Sequence, residues 1–406
     1  MNESRLDLDQ ALDAILADAR PASGEERVAV AAALGRVLAR SIDAPVSLPP
    51  FAASAMDGYA LRRGDVDGEP PYRLRLAGTS YAGHPVDAPT PPGSCVRIFT
   101  GAPVPADLDT VVIQENCAVE GDRIRIDVRV AAGDNIRPVG HDIAAGQRLL
   151  DRGRRLNAFD VGWLAACGIA HVDVHTRPVV GLFSTGDELI DAGTAPRPGQ
   201  IFDSNRRTLI SLLAPLPVAV KDYGIVPDRR ERIRDVLEQA DAECDVVLTT
   251  GGVSVGDADW VKDVVSEIGR LRIWKLNIKP GKPLAYGRLS RAAFFGLPGN
   301  PVSTIVTALM LALPAIERVC GTEPSPPLTV PATLRGAIRH QPGREEFQRG
   351  RLSAGDDGLQ VAATGDQSSN RLASFADANC LIRIPKDCGD VADGSRVRVL
   401  PFRGLI

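Results

Sequence analysis

The chain of 406 residues is 44% hydrophobic and 24% charged, which is average for a soluble globular protein, and its length predicts two to four domains. Its net charge is -4, and only 4% of its residues are aromatic. These values argue against a nucleic-acid partner, because such proteins present basic surfaces and stacking rings.

The sequence carries no sign of export or of a membrane anchor. Its seven cysteines are scattered and none forms a CxxC pair, so we predict neither a disulfide framework nor a structural zinc site. The first ten residues, MNESRLDLDQ, lack the basic and apolar regions of a signal peptide, and no run approaches the roughly 18 apolar residues of a membrane span. We therefore expect a cytoplasmic protein without a membrane contact.

Two separated helical segments are predicted in the first half of the chain. Apolar residues recur at helical spacing over 8–16, and a second helix is predicted over about 25–39. Helix is predicted again over 147–169. We assign residues 1–45 and 141–176 to one discontinuous domain.

Between residues 46 and 140, short alternating strands separated by proline and glycine turns indicate an inserted all-β domain. Its first loop carries Asp57 next to the apolar Met56 in a proline-rich stretch, so we expect the loop to dock onto another surface. Thr100 follows one of the predicted strands, at the start of the rigid turn TGAPVP.

From residue 177 to 325, strands alternate with helices, which predicts a doubly wound and largely parallel sheet. A proline-rich linker over 321–331 leads to alternating apolar segments, so residues 326–406 are predicted to form a small β-barrel or sandwich. The predicted fold class is therefore multidomain α/β plus β: a doubly wound α/β domain with an inserted β domain, a helical segment and a C-terminal small β-barrel.

A glycine-rich loop over 249–260, TTGGVSVGDADW, follows a predicted buried strand and precedes an amphipathic helix. Its glycines allow bare backbone to approach a ligand, and the carboxylates of Asp257 and Asp259 suit a hard divalent cation. A plain turn between strand and helix, with an aspartate as helix cap, explains the loop equally well. The loop alone leaves both interpretations open.

Other polar side chains also follow predicted strands of the α/β domain, at the edge where open sheets bind ligands. Carboxylates together with lysines suit an anionic phosphate ligand with a divalent metal between them, although each residue alone is explained equally well as a helix cap or a solvated charge. The sequence contains no GxxxxGK[ST] or GxGxxG, which argues against a P-loop NTPase and a dinucleotide-binding protein, and its five histidines offer few bases for a serine or cysteine hydrolase. The residues concerned are Glu188, Asp203, Asp228, Asp257, Asp259, Lys275, Lys279, Lys282 and Asn300.

Taken together, eight motifs resemble the molybdopterin molybdenumtransferases, the family that includes the C-terminal domain of gephyrin. They occur in the family's order and cover almost the whole chain. The motifs are SAMDGYA (54–60), IFTGAPVP (98–105), STGDEL (184–189), DSN (203–205), TTGGVSVGDAD (249–259), WKLNIKPGKPLAYG (274–287), GLPGNPVS (296–303) and GREEFQRG (343–350).

The resemblance implies an enzyme of the last step of molybdenum cofactor synthesis. It would insert molybdenum from molybdate into adenylylated molybdopterin, with Mg²⁺ assisting, and would release AMP. It implies a molybdopterin-binding role for the α/β domain and an elongated homodimer, with residues 1–45 and 141–176 as the dimerisation domain. The implied partners are the molybdopterin-adenylating enzyme and a downstream molybdoenzyme or cofactor-maturation protein. A molybdopterin adenylyltransferase and a non-catalytic molybdopterin-binding scaffold remain as alternatives.

The resemblance also implies roles for individual residues. Asp57 and Thr100 would close the cleft from the partner subunit. We propose no covalent nucleophile, so Cys244 and the other cysteines are assigned to packing. The implied catalytic residues are Asp57, Thr100, Glu188, Asp228 and Asp259, and the implied metal ligands are Glu188, Asp257 and Asp259. The implied substrate-binding residues are Ser184, Gly186, Asp203, Asn205, Gly251, Gly252, Ser254, Lys275, Lys279, Lys282, Pro298, Asn300, Arg349 and Ser369.

Overall fold

The computed structural model describes residues 6–22, 24–252 and 260–402. The first part of the chain contains two helices and twelve short strands among the described residues. In chain order these are α1 (Leu8–Asp18), β1 (Glu25–Ala29), β2 (Ile42–Asp43), β3 (Ala53–Ser54), β4 (Gly58–Leu61), β5 (Tyr72–Ser80), β6 (Ser94–Ile98), β7 (Thr110–Ile113), β8 (Cys117–Glu120), β9 (Arg123–Ile126), β10 (Ile136–Arg137), β11 (Arg148–Leu150), α2 (Ala158–Ala166) and β12 (His171–His175).

The helix predicted over 25–39 is wrong. The segment begins with β1, which pairs antiparallel with β12, and continues through a short 3-10 turn at Val30–Ala32. Val28 packs against the small hydrophobic core of this region, so tertiary burial overrides the helix preference of the alanines. Gly35 then adopts a φ of +74°, which ends any helix before residue 39.

The helix predicted over 147–169 is shorter than expected. It forms only α2, because residues 148–150 pair as β11 with β2. The Asn157 side chain accepts hydrogen bonds from the backbone N–H groups of Phe159 and Asp160, at 2.8 and 3.0 Å, which fixes the start of the helix.

The β-rich segment forms an open, half-barrel sheet of six strands in the order β7-β4-β6-β5-β9-β8. Only β5 and β6 run parallel, and the other neighbours are antiparallel. Alternate residues of its strands, such as Leu61, Leu74 and Ile124, form a core of their own. The predicted all-β character of this segment is confirmed.

The next part of the chain forms the α/β sheet. Its elements are β13 (Val179–Thr185), β14 (Leu189–Ile190), β15 (Ile201–Phe202), α3 (Ser204–Leu213), β16 (Ala219–Val226), α4 (Arg230–Glu243), β17 (Val246–Thr250), α5 (Trp260–Ile268), β18 (Arg270–Lys275), β19 (Ile278–Lys279), β20 (Pro283–Arg288), β21 (Ala293–Leu297), α6 (Pro301–Thr307) and α7 (Leu313–Val319), with a π-helical turn at Ala308–Ala312 between the last two helices.

The sheet has the order β16-β13-β17-β21-β20-β18. The first four strands are parallel, whereas β20 runs antiparallel to both β21 and β18. The largely parallel sheet is confirmed, but β20 was not predicted. Its sequence PLAYGR contains alanine and glycine, which have a low strand preference, and the strand forms because its neighbours bury it.

Helices cover both faces of this sheet. In β17, Val246 and Leu248 point to one face, where they pack with α3, α6 and α7, whereas Val247 points to the other face and packs with α4 and α5. The doubly wound architecture is therefore confirmed. The strands are buried on both sides, which explains why their sequences are nearly continuous runs of apolar residues.

The apolar segment Pro301–Val319 is as long and hydrophobic as a membrane span, so the expectation that no run approaches that length was wrong. It is nevertheless 89% buried inside the protein, as is typical of the core helix of a soluble protein. Its residues Val306, Leu311 and Ile316 belong to the core on one face of the sheet.

The C-terminal strands close into a small barrel. They are β22 (Val330–Arg335), β23 (Glu345–Gly355), β24 (Gly358–Ala363), β25 (Cys380–Ile384) and β26 (Arg396–Pro401). The sheet order β19-β23-β24-β22-β26-β25 is closed by a second pairing between β23 and β25. The predicted C-terminal barrel is confirmed, and β19 joins it to the α/β sheet.

The first helix, α1, lies against the α/β sheet of the same chain. Its buried residues Leu8, Ala11 and Ile15 belong to the core that contains α6 and α7, and Tyr286 Oη donates a hydrogen bond to Asp18 at 2.8 Å. The boundaries that we assigned to the four domains stay a prediction.

Candidate functional site

The carboxyl ends of five strands meet at one edge of the α/β sheet. The strands β16, β13, β17 and β21 are parallel, and β18 runs in the same direction because two antiparallel steps separate it from β21. The turn between β18 and β20 therefore lies at this edge as well. Parallel sheets bind ligands at such an edge, and the described residues that follow these strands, among them Glu188, Asp228 and Asn300, lie there.

Thr185 and Asp228 join the ends of β13 and β16. The Thr185 hydroxyl donates a hydrogen bond to the carboxylate of Asp228, and the backbone N–H of Asp228 donates to Asp187 at 3.1 Å. Asp228 lies before the cap residue of α4, so its side chain is not the helix cap. Its carboxylate is instead held towards the end of β13.

Gly186 makes room for the carboxylate of Glu188. A Cβ at Gly186 would lie 2.7 Å from Glu188 Oε2, and the residue has a φ of +154°. Ser184, just before this turn, is fully buried, and among the described residues its hydroxyl has no hydrogen-bond partner. A buried hydroxyl without a partner costs free energy unless a ligand or water satisfies it, which fits a binding role for this residue.

The two glycines after β17 are required by their neighbours. A Cβ at Gly251 would lie 2.5 Å from the carbonyl oxygen of Thr185, and one at Gly252 would lie 2.8 Å from Val261. Both have a positive φ, which favours glycine. The backbone at the end of β17 therefore passes close to β13.

A second group surrounds Asn205 at the start of α3. Its amide donates hydrogen bonds to Thr250 Oγ1 at 2.9 Å and to the carbonyl oxygen of Gly299 at 2.7 Å. Thr250 in turn donates to the carbonyl oxygen of Pro298 at 3.1 Å. The structure thus brings Asn205, Pro298 and the neighbouring Asn300 together across three strand ends.

Asp203 has a mainly structural environment. It caps α3 by accepting a hydrogen bond from the backbone N–H of Arg206 at 3.1 Å, and its second oxygen accepts one from the Arg206 side chain at 2.9 Å. Asp222 and Asp191 also contact this buried guanidinium. Both oxygens of Asp203 are therefore already engaged.

The barrel reaches the same edge through Ser369 and Arg349. The backbone N–H of Val302, in the first turn of α6, donates a hydrogen bond to the carbonyl oxygen of Ser369 at 3.1 Å. Arg349 donates to the carbonyl oxygen of Ser368 at 3.3 Å and to Ser374 Oγ at 2.9 Å. Burial lowers the pKa of the Arg349 guanidinium to about 10. The guanidinium is completely buried and would contact an anion only through a change of its surroundings.

The predicted lysines lie around the turn between β18 and β20. Lys275 is the last residue of β18, and Lys282 is exposed just before β20. Lys279 lies in β19, where its ammonium contacts the carboxylate of Glu346 at 3.1 Å. Gly281, with a φ of +108°, allows close approach to α6, since a Cβ there would lie 2.7 Å from Thr307.

Asp57 and Thr100 form a separate pair in the half-barrel. Asp57 Oδ1 accepts hydrogen bonds from the backbone N–H of Thr100 at 2.8 Å and from its hydroxyl at 2.7 Å. These two bonds lower the pKa of the Asp57 carboxyl, the backbone bond contributing most. The contacts described for this pair lie within the half-barrel, so the structure of one chain does not bring it to the edge of the α/β sheet.

Three predicted residues, Ser254, Asp257 and Asp259, lie outside the described residues. Within the described part, no group of three or more histidine, cysteine, aspartate or glutamate side chains is arranged to hold a metal ion. Mg²⁺ usually binds proteins through one or two carboxylates and completes its shell with water and substrate phosphates. The exposed carboxylate of Glu188 at this edge fits such a site, because its oxygens are hard donors next to a glycine turn.

The sequence interpretation missed three residues of this edge, namely Thr185, Thr250 and Glu346. The two threonines directly precede the glycines of their turns. That position could have identified them, because a hydroxyl at the end of a strand reaches the end of the neighbouring strand in the sheet. Glu346 gave no such signal, since its pairing with Lys279 depends on the contact between β19 and β23.

The seven cysteines are free in the structure. Cys244 lies in the core beneath α4, and burial raises its pKa. Burial raises the pKa of Cys95 and of Cys320 to about 12. These thiols are poor nucleophiles at neutral pH, which supports the packing role predicted for them.

Three family descriptions match consecutive parts of the chain. "MoeA N-terminal region (domain I and II)" matches residues 6–168, "Probable molybdopterin binding domain" matches 181–318, and "MoeA C-terminal region (domain IV)" matches 331–402. The second match contains the strand ends described above, and the third contains Arg349 and Ser369.

Relatives that match nearly the whole of this chain carry consistent names. The chain is 37% identical to the molybdopterin molybdenumtransferase of Haemophilus influenzae, over 99% of this chain and 100% of that protein. It is 32% identical to gephyrin of Dictyostelium discoideum, over 97% of this chain and 62% of that protein. A solved molybdopterin biosynthesis moeA protein of Pyrococcus horikoshii superposes with a TM-score of 0.85 at 29% identity, covering 98% of this chain and 100% of that one. The chain therefore belongs to the molybdopterin molybdenumtransferase family.

Proposed function

We propose that this protein is an enzyme that inserts molybdenum into molybdopterin in molybdenum cofactor biosynthesis. The observation that carries the proposal is the convergence of carboxylates, glycine turns and cations at one edge of the α/β sheet. The membership of the chain in the molybdenumtransferase family, over nearly its full length, supports the same activity.

In finer detail, the substrates are adenylylated molybdopterin and molybdate, and AMP is the leaving product. Both substrates carry tetrahedral oxyanions, which lysine and arginine side chains bind through charge-assisted hydrogen bonds. Lys275, Lys279, Lys282 and Arg349 are the cations assigned to this task. Gly251 and Gly252 let the backbone approach the bound nucleotide closely.

We assign three tasks to the polar side chains of the edge. Asp228, fixed by Thr185, orients the water or substrate oxygen that reacts at the phosphoanhydride. Asn205 holds the turn 298–300 in place, and Ser184 offers an unused hydroxyl to the substrate. Ser369 connects the barrel to the start of α6.

Glu188 would hold Mg²⁺, and Asp257 and Asp259 are the further ligands predicted from the sequence. When bound, Mg²⁺ neutralises the negative charge that develops on the phosphate oxygens during cleavage. A homodimer in the cytoplasm, in which Asp57 and Thr100 of the partner subunit close the cleft, completes the proposal. The adenylating enzyme would supply the substrate, and a molybdoenzyme or maturation protein would accept the product.

The test supplies the purified protein with adenylylated molybdopterin, Mg²⁺ and molybdate, and it measures AMP release together with activation of an apo-molybdoenzyme. We expect AMP release that depends on molybdate and an active molybdoenzyme. Absence of molybdate-dependent AMP release contradicts the proposal.

Two alternatives give different results in the same assay. An adenylyltransferase would convert ATP and molybdopterin into the adenylylated product without molybdate. A non-catalytic scaffold would bind molybdopterin and turn over neither mixture, a possibility raised by the similarity to gephyrin.

A further inference from the structure

Glu346 lies where the α/β sheet meets the barrel. The strands β19 and β23 pair in parallel there, with Lys279 opposite Glu346. The ammonium of Lys279 lies 3.1 Å from Glu346 Oε1, and the two side chains are 50% and 3% exposed. A buried carboxylate therefore holds a cation whose other side faces the solvent.

The carboxylate of Glu346 is itself held in a fixed position. Gln348 Nε2 donates a hydrogen bond to the same oxygen, Oε1, at 2.9 Å. His340 lies beside the other oxygen, with Nε2 at 3.9 Å, and its two ring nitrogens contact the carbonyl oxygens of Cys388 and Arg344 at 2.9 and 3.0 Å. These contacts fix the orientation of the imidazole, which covers one side of the carboxylate.

In the part of the chain that the structure describes, Lys279 is the nearest cation to this carboxylate. Among the described residues, Glu346 Oε2 has no hydrogen-bond partner, although it is buried. A buried carboxylate without a cation is strongly unfavourable, so Glu346 keeps the ammonium close. The negative charge of Glu346 also stabilises the charged form of Arg349, against the effect of burial. The buried negative charge of Glu346 thus interacts with two of the cations assigned to oxyanion binding, Lys279 and Arg349.

We propose that Glu346 is a positioning residue for Lys279. The ammonium lies in an ion pair with Glu346 at 3.1 Å and is half exposed, so its N–H donors can still reach a tetrahedral oxyanion on the solvent side. Lysine has a flexible four-carbon stem, and holding it in advance lowers the entropy lost when the anion binds. The inference rests on the proposed function only for the identity of the oxyanion, which is molybdate or the phosphate chain of adenylylated molybdopterin.

The first experiment measures KM for each substrate separately, and kcat, in the Glu346→Gln variant. This change keeps the shape of the side chain and removes its charge. We expect KM for the oxyanion that Lys279 contacts to rise about fivefold, because the lysine side chain is no longer held in place before the anion binds. We expect a smaller change in kcat, and whichever substrate shows the rise in KM is the bound oxyanion.

A matched control comes from the preceding residue. Glu345 lies in the same strand and makes an ion pair with Arg383 instead of Lys279. The Glu345→Gln variant loses an ion pair in the same element, but both KM values should stay unchanged. The Glu346→Asp variant keeps the charge and should recover part of the affinity, and it also serves as the test if the glutamine variant does not fold.

A double-mutant cycle shows whether Glu346 acts through Lys279. Titration calorimetry with molybdate and with adenylylated molybdopterin compares the wild type, Glu346→Gln, Lys279→Met and the double variant. If Glu346 positions Lys279, it has no further effect once the lysine is replaced. Additive losses in affinity, or a lower KM in Glu346→Gln, would overturn the inference, because Glu346 would then act independently or merely repel the anion.

A measurement that does not depend on catalytic turnover tests this inference separately from the proposed function. The rate at which acetic anhydride acylates Lys279, followed by peptide mass spectrometry, should rise about fivefold in Glu346→Gln, because the amine is released from its ion pair. The rate should not change in Glu345→Gln. An unchanged rate in Glu346→Gln contradicts the positioning role even in a protein that releases AMP, whereas the expected rise in a protein without AMP release would contradict only the proposed function.

Discussion

The Asp57 carboxylate accepts two hydrogen bonds from one residue, Thr100, and both favour its charged form. Removing only the hydroxyl, in Thr100→Val, leaves the backbone N–H in place. We expect the pKa of Asp57 to rise towards its ordinary value, since the side-chain bond contributes to lowering it. If ionised Asp57 is needed for catalysis, the acid limb of the pH profile of kcat/KM shifts to higher pH.

The measurement is a pH titration of AMP release, supported by carboxyl NMR of labelled Asp57. Thr110→Val is a matched control, because Thr110 also donates a hydroxyl hydrogen bond to an aspartate of the half-barrel, Asp109, at 2.9 Å. The control should leave the acid limb in place. An acid limb that does not move in Thr100→Val argues against a catalytic carboxylate at position 57.

Single residues were predictable from the sequence where a local pattern determines them. Asp203 at the start of α3 and the glycines after β17 follow from rules for helix caps and tight turns. The partner of Lys279 was not predictable, because 67 positions separate it from Glu346 and a barrel must close before they meet. The hydrogen bond between Thr185 and Asp228 was not predictable either, because it forms only once β13 and β16 pair in the sheet.

At the scale of elements, the turn after β17 tests how tightly the strand ends pack. A Cβ at Gly251 would lie 2.5 Å from the carbonyl oxygen of Thr185, and this backbone atom cannot move aside cheaply. Gly251→Ala should therefore cost about 1–2 kcal/mol for the left-handed backbone and about 1–3 kcal/mol more for the clash. Thermal unfolding measures the loss of stability.

Gly199→Ala is the matched control for this substitution. Gly199 has the same φ of +87°, lies in the same part of the chain, and a Cβ there would meet nothing within 4 Å. The control should show only the backbone contribution. Equal losses of stability in the two variants would show that β13 and the turn after β17 are not packed as described.

Helices and strands with a regular spacing of apolar residues were predictable from the sequence. Strands that form only because neighbouring strands pair with them were not. The helix α1 and the strands β13 and β17 follow from their apolar spacing. The strand β1 has an alanine-rich continuation that favours a helix, and β20 contains weak strand formers. β1 becomes a strand by pairing with the distant β12, and β20 becomes one because β18 and β21 enclose it on both sides, and the strand preference of its own residues indicates neither pairing.

At the scale of the whole molecule, Asp7 ties the N-terminal segment to the α/β sheet and to the barrel. Its carboxylate accepts a hydrogen bond from Asn277 at 2.9 Å and forms an ion pair with Lys386. The bond from Lys386, followed by that from Asn277, lowers the pKa of Asp7. Its stabilisation is therefore present above the unfolded pKa of 3.8 and disappears as the pH falls through the lower folded value.

Lys386→Met should lower the melting temperature only slightly at pH 7, because both partners of the ion pair are partly exposed and water screens their attraction. The difference from the wild type should vanish once the pH falls below the folded pKa of Asp7. High salt should reduce it as well. A difference that persists in strong acid would mean that the lysine stabilises the protein by packing and not by its charge.

The proposed composite cleft predicts complementation between inactive variants. In a mixture of Asp57→Asn and Lys279→Ala subunits, half of the dimers contain one copy of each variant, and one of their two sites is intact. The mixture should regain about one quarter of wild-type AMP release, as expected for random assembly of a twofold dimer. Mixing Lys279→Ala with Asp228→Asn is the control and should regain nothing, because both residues belong to the same side of the cleft.

The position of α1 has a consequence for the synthesis of the protein on the ribosome. The helix leaves the ribosome well before α6 and α7, against which its buried side chains pack and which begin about 290 residues later. At about 5–20 residues per second, its apolar face stays without its partner for roughly 15–60 s. During that interval the nascent chain exposes Leu8 and Ile15 to any binder of apolar segments, so a chaperone that covers this helix would act early and have to release it late.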